Sequence, residues 1–111
     1  MSILFFAGLL FGVCGSMLWS QTDTLVVKSQ NIVCQTCRRT LIRGLSTQRG
    51  IRWVEVYVPA KEIVVVYRTD KTAPEQIRQA IARLGYDADT VRRDTRAFER
   101  LPACCRAEEP H

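Results

Sequence analysis

The sequence predicts an α+β sandwich of order β-α-β-β-α-β: a four-stranded antiparallel sheet with two helices on one face. Three observations predict it. Val- and Ile-rich runs recur at residues 24–31, 51–58 and 63–67, the mark of half-buried strands. Two intervening segments repeat their apolar residues at i, i+3, i+4 spacing, which is helical. Gly50 and Gly85 stand where those helical patterns stop, as helix-terminating residues do.

No charged side chain occurs before Asp23. The apolar stretch 3–13 has the length of a signal-peptide h-region and is too short to span a bilayer comfortably. Residues 1–21 are therefore read as a signal peptide, cleaved between Ser20 and Gln21, or as an uncleaved N-terminal anchor, since no Lys or Arg precedes the stretch. Only the anchor would bring membrane contact. Cys14 follows Val13, too bulky for a lipoprotein acylation site, and reads as incidental. The expectation is export to the periplasm, or anchoring that faces it.

Residues 24–31 read as the first strand. Over residues 36–48, Cys37, Leu41, Ile42 and Leu45 share one helical face, with Arg38, Arg39 and Arg43 on the outer side. Residues 51–58 form the second strand, with Ile51, Val54, Val56 and Val58 inward. Trp53 beside Val54 breaks the alternation, which predicts a bulge. Residues 59–62 turn the chain, and 63–67 return as the third strand. Thr72 as cap, Pro74 in the first turn and Glu75 closing a capping box open the second helix. Ile77, Ala80, Ile81 and Leu84 then line its buried face. Residues 86–91 form a short, polar fourth strand fit only for a sheet edge. This is the split βαβ, or ferredoxin-like, arrangement. It assigns residues 22–91 to the domain and 92–111 to a cysteine-containing tail.

The net charge of +5 falls wholly after residue 22. Its Arg residues are dispersed, and no basic block interleaves with aromatics, so nucleic-acid binding is excluded. No carboxylate pair, Ser/His/Asp set or Gly-rich phosphate loop occurs, and the chain is not read as an enzyme. A monomer is expected.

Cys34-Gln35-Thr36-Cys37 carries the chemistry. It sits where a strand gives way to a helix, and there the helix dipole and backbone N–H groups favour thiolate. Two such thiols either grip a soft metal ion or cycle through a disulfide. The redox alternative is a thiol–disulfide oxidoreductase. Thioredoxin-like enzymes need a larger scaffold and a cis-Pro facing the thiols, and Pro59, Pro74, Pro102 and Pro110 are all poorly placed for that.

The ordered set Ile32-Val33-Cys34-Gln35-Thr36-Cys37, Leu41, Leu45, Gly50-Ile51, Val54-Glu55-Val56, residues 63–67 and residues 80–88 resembles the heavy-metal-associated domain. That module occurs in copper chaperones, in transporting ATPases and in periplasmic mercuric-ion carriers. The resemblance covers about residues 24–91. It implies a soft-metal carrier that exchanges its ion with a metal-transporting membrane protein, with Cys34 and Cys37 as ligands. Asn31, Ile32 and Val33 depart from the family's Gly-Met-Thr. Asn31 is expected to serve by tolerating left-handed backbone, and Ile32 by keeping the loop's apolar anchor. Tyr86 falls where the family places an aromatic or Lys facing the metal.

Residues 98–105 (Phe-Glu-Arg-Leu-Pro-Ala-Cys-Cys) lie beyond the usual domain. With a fourth strand in place, Val91 would end far from the metal loop, and the stretch to Cys104 can extend about 40 Å, enough to return. Cys104 and Cys105 are thus candidate third and fourth ligands; a vicinal disulfide or a link to Cys34 or Cys37 are the alternatives. A thiolate pair suits Cu(I), which ranks first, and also Hg(II); four thiolates suit Zn(II). His111 reads as solvated. Trp53, Tyr57, Val64 and Val66 form an outward strip that Phe98 and Leu101 are expected to cover; otherwise it is a docking surface.

Overall fold

The computed structural model describes residues 21–106. Residues 1–20 of the signal or anchor segment, Cys14 among them, and His111 lie outside the described residues. The elements are β1 (Thr22–Lys28), α1 (Gln35–Ser46), β2 (Ile51–Tyr57), β3 (Glu62–Arg68), α2 (Pro74–Arg83) and two short helices, α3 (Thr95–Glu99) and α4 (Ala103–Arg106). The sheet has the order β1-β3-β2, all antiparallel.

Register puts Leu25, Val27, Val54, Val56, Ile63, Val65 and Tyr67 on one sheet face. Against them pack Cys37, Leu41 and Leu45 of α1 and Ile77, Ala80 and Ile81 of α2, forming one core. The two helices approach closely because Gly44 lacks a side chain: a Cβ there would stand 2.7 Å from the Leu84 methyls. The predicted bulge is present, with the β2–β3 register shifting between Ile51 and Trp53. Arg52 is the extra residue, and the shift returns Val54 to the inside.

At the edge strand β2, the Glu55 carboxylate accepts a 2.9 Å bond from the Val56 N–H and binds Arg38 of α1 at 2.8 Å. At β1, the Asp23 carboxylate accepts from the Thr24 N–H at 2.7 Å. Arg38 is therefore an internal partner of the fold, while Arg39 and Arg43 are exposed.

Three expectations are corrected. The cap of α2 is Ala73 (φ −143°, ψ 159°), not Thr72, whose hydroxyl instead bonds the Gln76 side chain at 3.2 Å. Pro74 is the cause, because a residue preceding proline is driven to extended backbone.

The fourth strand is not formed among the described residues. Asp89 donates its N–H to the Lys28 carbonyl (2.8 Å), but its own carboxylate takes the Lys28 N–H (2.9 Å). A side chain thus substitutes for the next ladder bond. Asp89 also has φ +54°, and Ala88 and Val91 exchange both backbone bonds at 2.9 Å. The chain reverses there instead of running along β1.

Phe98 and Leu101 do not cover the outer sheet face. Trp53 (61 %), Tyr57 (52 %) and Val26 (48 %) remain exposed, because the tail docks against Gly85 and Cys34, on the helix side of the sheet. No helix among the described residues is long and apolar enough to cross a membrane.

Candidate metal centre

Cys34 occupies the N-cap of α1 with extended backbone (φ −157°, ψ 171°), and no side-chain oxygen caps the helix. Ile32, fully buried, anchors the preceding loop in the core as expected, with Val33 packed beside it. Cys37, one turn on, is itself a core residue with no exposure. The two sulfurs stand 3.5 Å apart.

The tail arrives at this pole by a short route. Because the chain reverses at Ala88 and Val91, it never travels to the far end of the sheet. Asp94 donates its N–H to the Ala82 carbonyl (2.9 Å), and its carboxylate caps α3 through the Ala97 N–H (2.9 Å). The Asp87 carboxylate accepts the Arg93 N–H at 3.0 Å, and the Arg93 guanidinium lies 3.7 Å from the Phe98 ring centre.

Gly85 ends α2 at φ +103°. The Tyr86 N–H reaches the Ile81 carbonyl (3.3 Å) and the Gly85 N–H the Ala82 carbonyl (3.0 Å), a Schellman close that calls for glycine. The same glycine admits the tail: a Cβ would stand 3.0 Å from the Phe98 nitrogen and 3.1 Å from its Cα.

The outcome is a thiol cluster. Cys104 and Cys105 both place their sulfurs 3.7 Å from that of Cys34, and Cys34, Cys104 and Cys105 all lie within 4.8 Å of one another. All four cysteines among the described residues are free thiols. Cys104 is solvent-exposed, while Cys105 is 1 % exposed and belongs to the core. The structure therefore brings together every cysteine singled out after residue 22.

Burial pushes the Cys34 thiol up. The hydrogen bond from the Cys37 N–H, then the sulfurs of Cys37, Cys104 and Cys105, outweigh it and bring Cys34 down to about 7. At neutral pH it is substantially thiolate. Cys105 goes the other way, raised by burial and then by Cys37. Tyr86 is fully buried, and its hydroxyl has no hydrogen-bond partner among the described residues. Burial first, then the neighbouring Cys37 and Cys105 sulfurs, keep that phenol protonated.

Asn31 is the residue that sequence reasoning misjudged. It does not adopt positive φ. Instead it is buried, donates to the Gly85 carbonyl (3.0 Å) and accepts from the Asp87 N–H (2.8 Å) and the Ser29 hydroxyl (3.4 Å). It ties the loop before Cys34 to the loop carrying Tyr86. The available signal was an amide where the resembling family has glycine.

Fold and cluster together define a small metal-binding module with four thiols gathered at a strand-to-helix turn. The profile of the heavy-metal-associated domain matches residues 26–87, and the chain belongs to that family. A mercuric transport protein periplasmic component from Alcaligenes sp. is 26 % identical over 81 residues, covering 73 % of this chain and 89 % of that one. Copper chaperone CopZ of Staphylococcus epidermidis is 27 % identical over 62 residues, covering 56 % and 91 % respectively. The crystal structure of oxidised MerP from Ralstonia metallidurans CH34 superposes with a TM-score of 0.58 at 25 % identity, over 61 % of this chain and 94 % of that one. Nothing in these comparisons supports the oxidoreductase alternative.

Proposed function

We propose that the protein binds a soft heavy-metal cation and transfers or sequesters it, using the Cys34 and Cys37 thiolates with Cys104 and Cys105 as further ligands. Cu(I) ranks first among the ions, with Zn(II) and Hg(II) as alternatives. One observation carries the reading: Cys34, poised near neutrality, has three other sulfurs within 3.7 Å. Clustered thiolates select soft d¹⁰ ions, and ligands that stand on a turn and a short tail can exchange one at a time.

In this reading residues 1–21 are a leader or anchor, 22–91 the metal-binding domain and 92–111 a tail that supplies ligands. The protein acts as a monomer in the periplasm, or facing it, and exchanges its ion with a metal-transporting membrane protein. The named relatives, a mercuric transport component and a copper chaperone, support a carrier role over catalysis.

Native mass spectrometry of the reduced protein with Cu(I), Zn(II) and Hg(II) tests this. Stoichiometric ion should be retained by wild type and lost in Cys34→Ser/Cys37→Ser. Insulin reduction without ion retention would replace the reading with the redox one.

A further inference from the structure

Building on the soft-cation reading above, we propose that the C-terminal turn creates a second seat for the ion. This seat is a three-thiolate site of Cys34, Cys104 and Cys105 that shares Cys34 with the Cys34–Cys37 pair. The ion pivots on Cys34 between a closed holding seat and an open exchange pair.

Sulfur spacing is the first argument. With metal–sulfur bonds of about 2.3 Å, trigonal ligands stand about 4.0 Å apart and the ends of a linear dithiolate about 4.6 Å. Cys34 lies 3.7 Å from both Cys104 and Cys105, and the triad stays within 4.8 Å. Small sulfur movements suffice for three-coordinate Cu(I). The Cys34–Cys37 separation of 3.5 Å must open by about 1 Å before it takes an ion linearly.

The second argument is that the tail is built in. Cys105 is seated in the core at 1 % exposure, and its segment is fixed by the close approach of Phe98 to Gly85, by Arg93 on Asp87 and by Asp94 on Ala82. Independently, the buried Tyr86 hydroxyl, without a partner, neighbours the Cys37 and Cys105 sulfurs. It offers an O–H donor to the thiolate charge that arises when metal binds.

On loading, the three sulfurs bind as thiolates, and whichever thiol protons remain pass to solvent as three metal–sulfur bonds form. On handover Cys37 gives up its thiol proton and bonds the metal as the bonds to Cys104 and Cys105 break; one released thiolate takes up that proton and the other takes one from solvent. The side they leave is then open to an incoming thiolate of a partner.

X-ray absorption spectroscopy of the full, reduced, Cu(I)-loaded chain reads the number of sulfur ligands. Three are expected in wild type and in Cys37→Ser, and two in Cys105→Ala and in Cys104→Ser. The last substitution is at an exposed position and leaves the core intact. The two tail variants should also lose Cu(I) to bathocuproine disulfonate on the order of tenfold faster. Two sulfurs in wild type, three persisting in Cys104→Ser, or a drop to two in Cys37→Ser would overturn the second seat. Cys34→Ser should lose the ion outright, and Cu(I) retained there would overturn the shared seat, whereas wild type that retains no Cu(I), Zn(II) or Hg(II) would sink the soft-cation reading itself.

Discussion

Replacing Asn31 by Ala removes the clamp between the loop that leads to Cys34 and the loop that carries Tyr86. The Gly85 carbonyl, buried, loses its 3.0 Å donor, and the Asp87 N–H, partly buried, loses its 2.8 Å acceptor. A buried group left unpaired costs about 1–3 kcal/mol, and a partly solvated bond about 0.5–1.5 kcal/mol. The Ser29 contact at 3.4 Å is too long to add much. The sum is about 2–4 kcal/mol, which for a domain this size lowers the urea midpoint by about 2 M. Urea unfolding followed by circular dichroism measures it, with Ser29→Ala as a control expected to change little. Alkylation in the folded state provides a second measure, since Cys105 should gain reactivity once the Tyr86 loop loosens. A loss under about 1 kcal/mol with Cys105 still protected would refute the clamp, because that is the size of an ordinary solvent-exposed bond.

Gly85→Ala should cost about 2–4 kcal/mol, combining an unfavourable positive φ with a clash against the Phe98 backbone, and thermal unfolding would show it; an unchanged midpoint would mean the tail does not dock there. In metal-free protein the fastest thiol should react with iodoacetamide with a midpoint near pH 7, shifting up on unfolding. The sign follows from the lowered pKa: the fold favours the Cys34 thiolate, so this stabilisation is present above the unfolded value and lost as pH falls through about 7. A midpoint near 9.0, the ordinary thiol value, would remove that account. Arg38→Ala should cost about 1 kcal/mol and less in high salt, since ion pairs that keep part of their solvent contribute little; a much larger loss by denaturant titration would show that the Glu55 contact pins the β2 edge.

What was local in the chain was legible. The two-residue alternation of Val54, Val56, Ile63 and Val65 fixed the hairpin and its inner face, and Trp53 interrupting it marked the bulge. Helical spacing of Leu41, Leu45, Ile77 and Ile81 placed both large helices, and the Cys34–Cys37 pair stood out by spacing alone. What depended on a side chain acting in place of backbone was not legible. Residues 86–91 carry a strand-like pattern, yet the Asp89 carboxylate occupies the Lys28 N–H and ends the pairing after one bond. Asn31 was read for backbone tolerance, while its amide works through contacts more than fifty residues away. The position of Cys104 and Cys105 follows from that early reversal and from a glycine that lets Phe98 approach. Neither is written in the spacing of the cysteines.

The carboxylates along the sheet margins have a consequence for solubility. Among the described residues β1 has a neighbour on one side only, and a strand of this kind invites pairing with another molecule. Asp23 and Asp89 place negative oxygens on N–H groups at its two ends, as Glu55 does on β2. A second copy approaching edge to edge would meet occupied donors and like charge, so each copy is kept from extending the other's sheet.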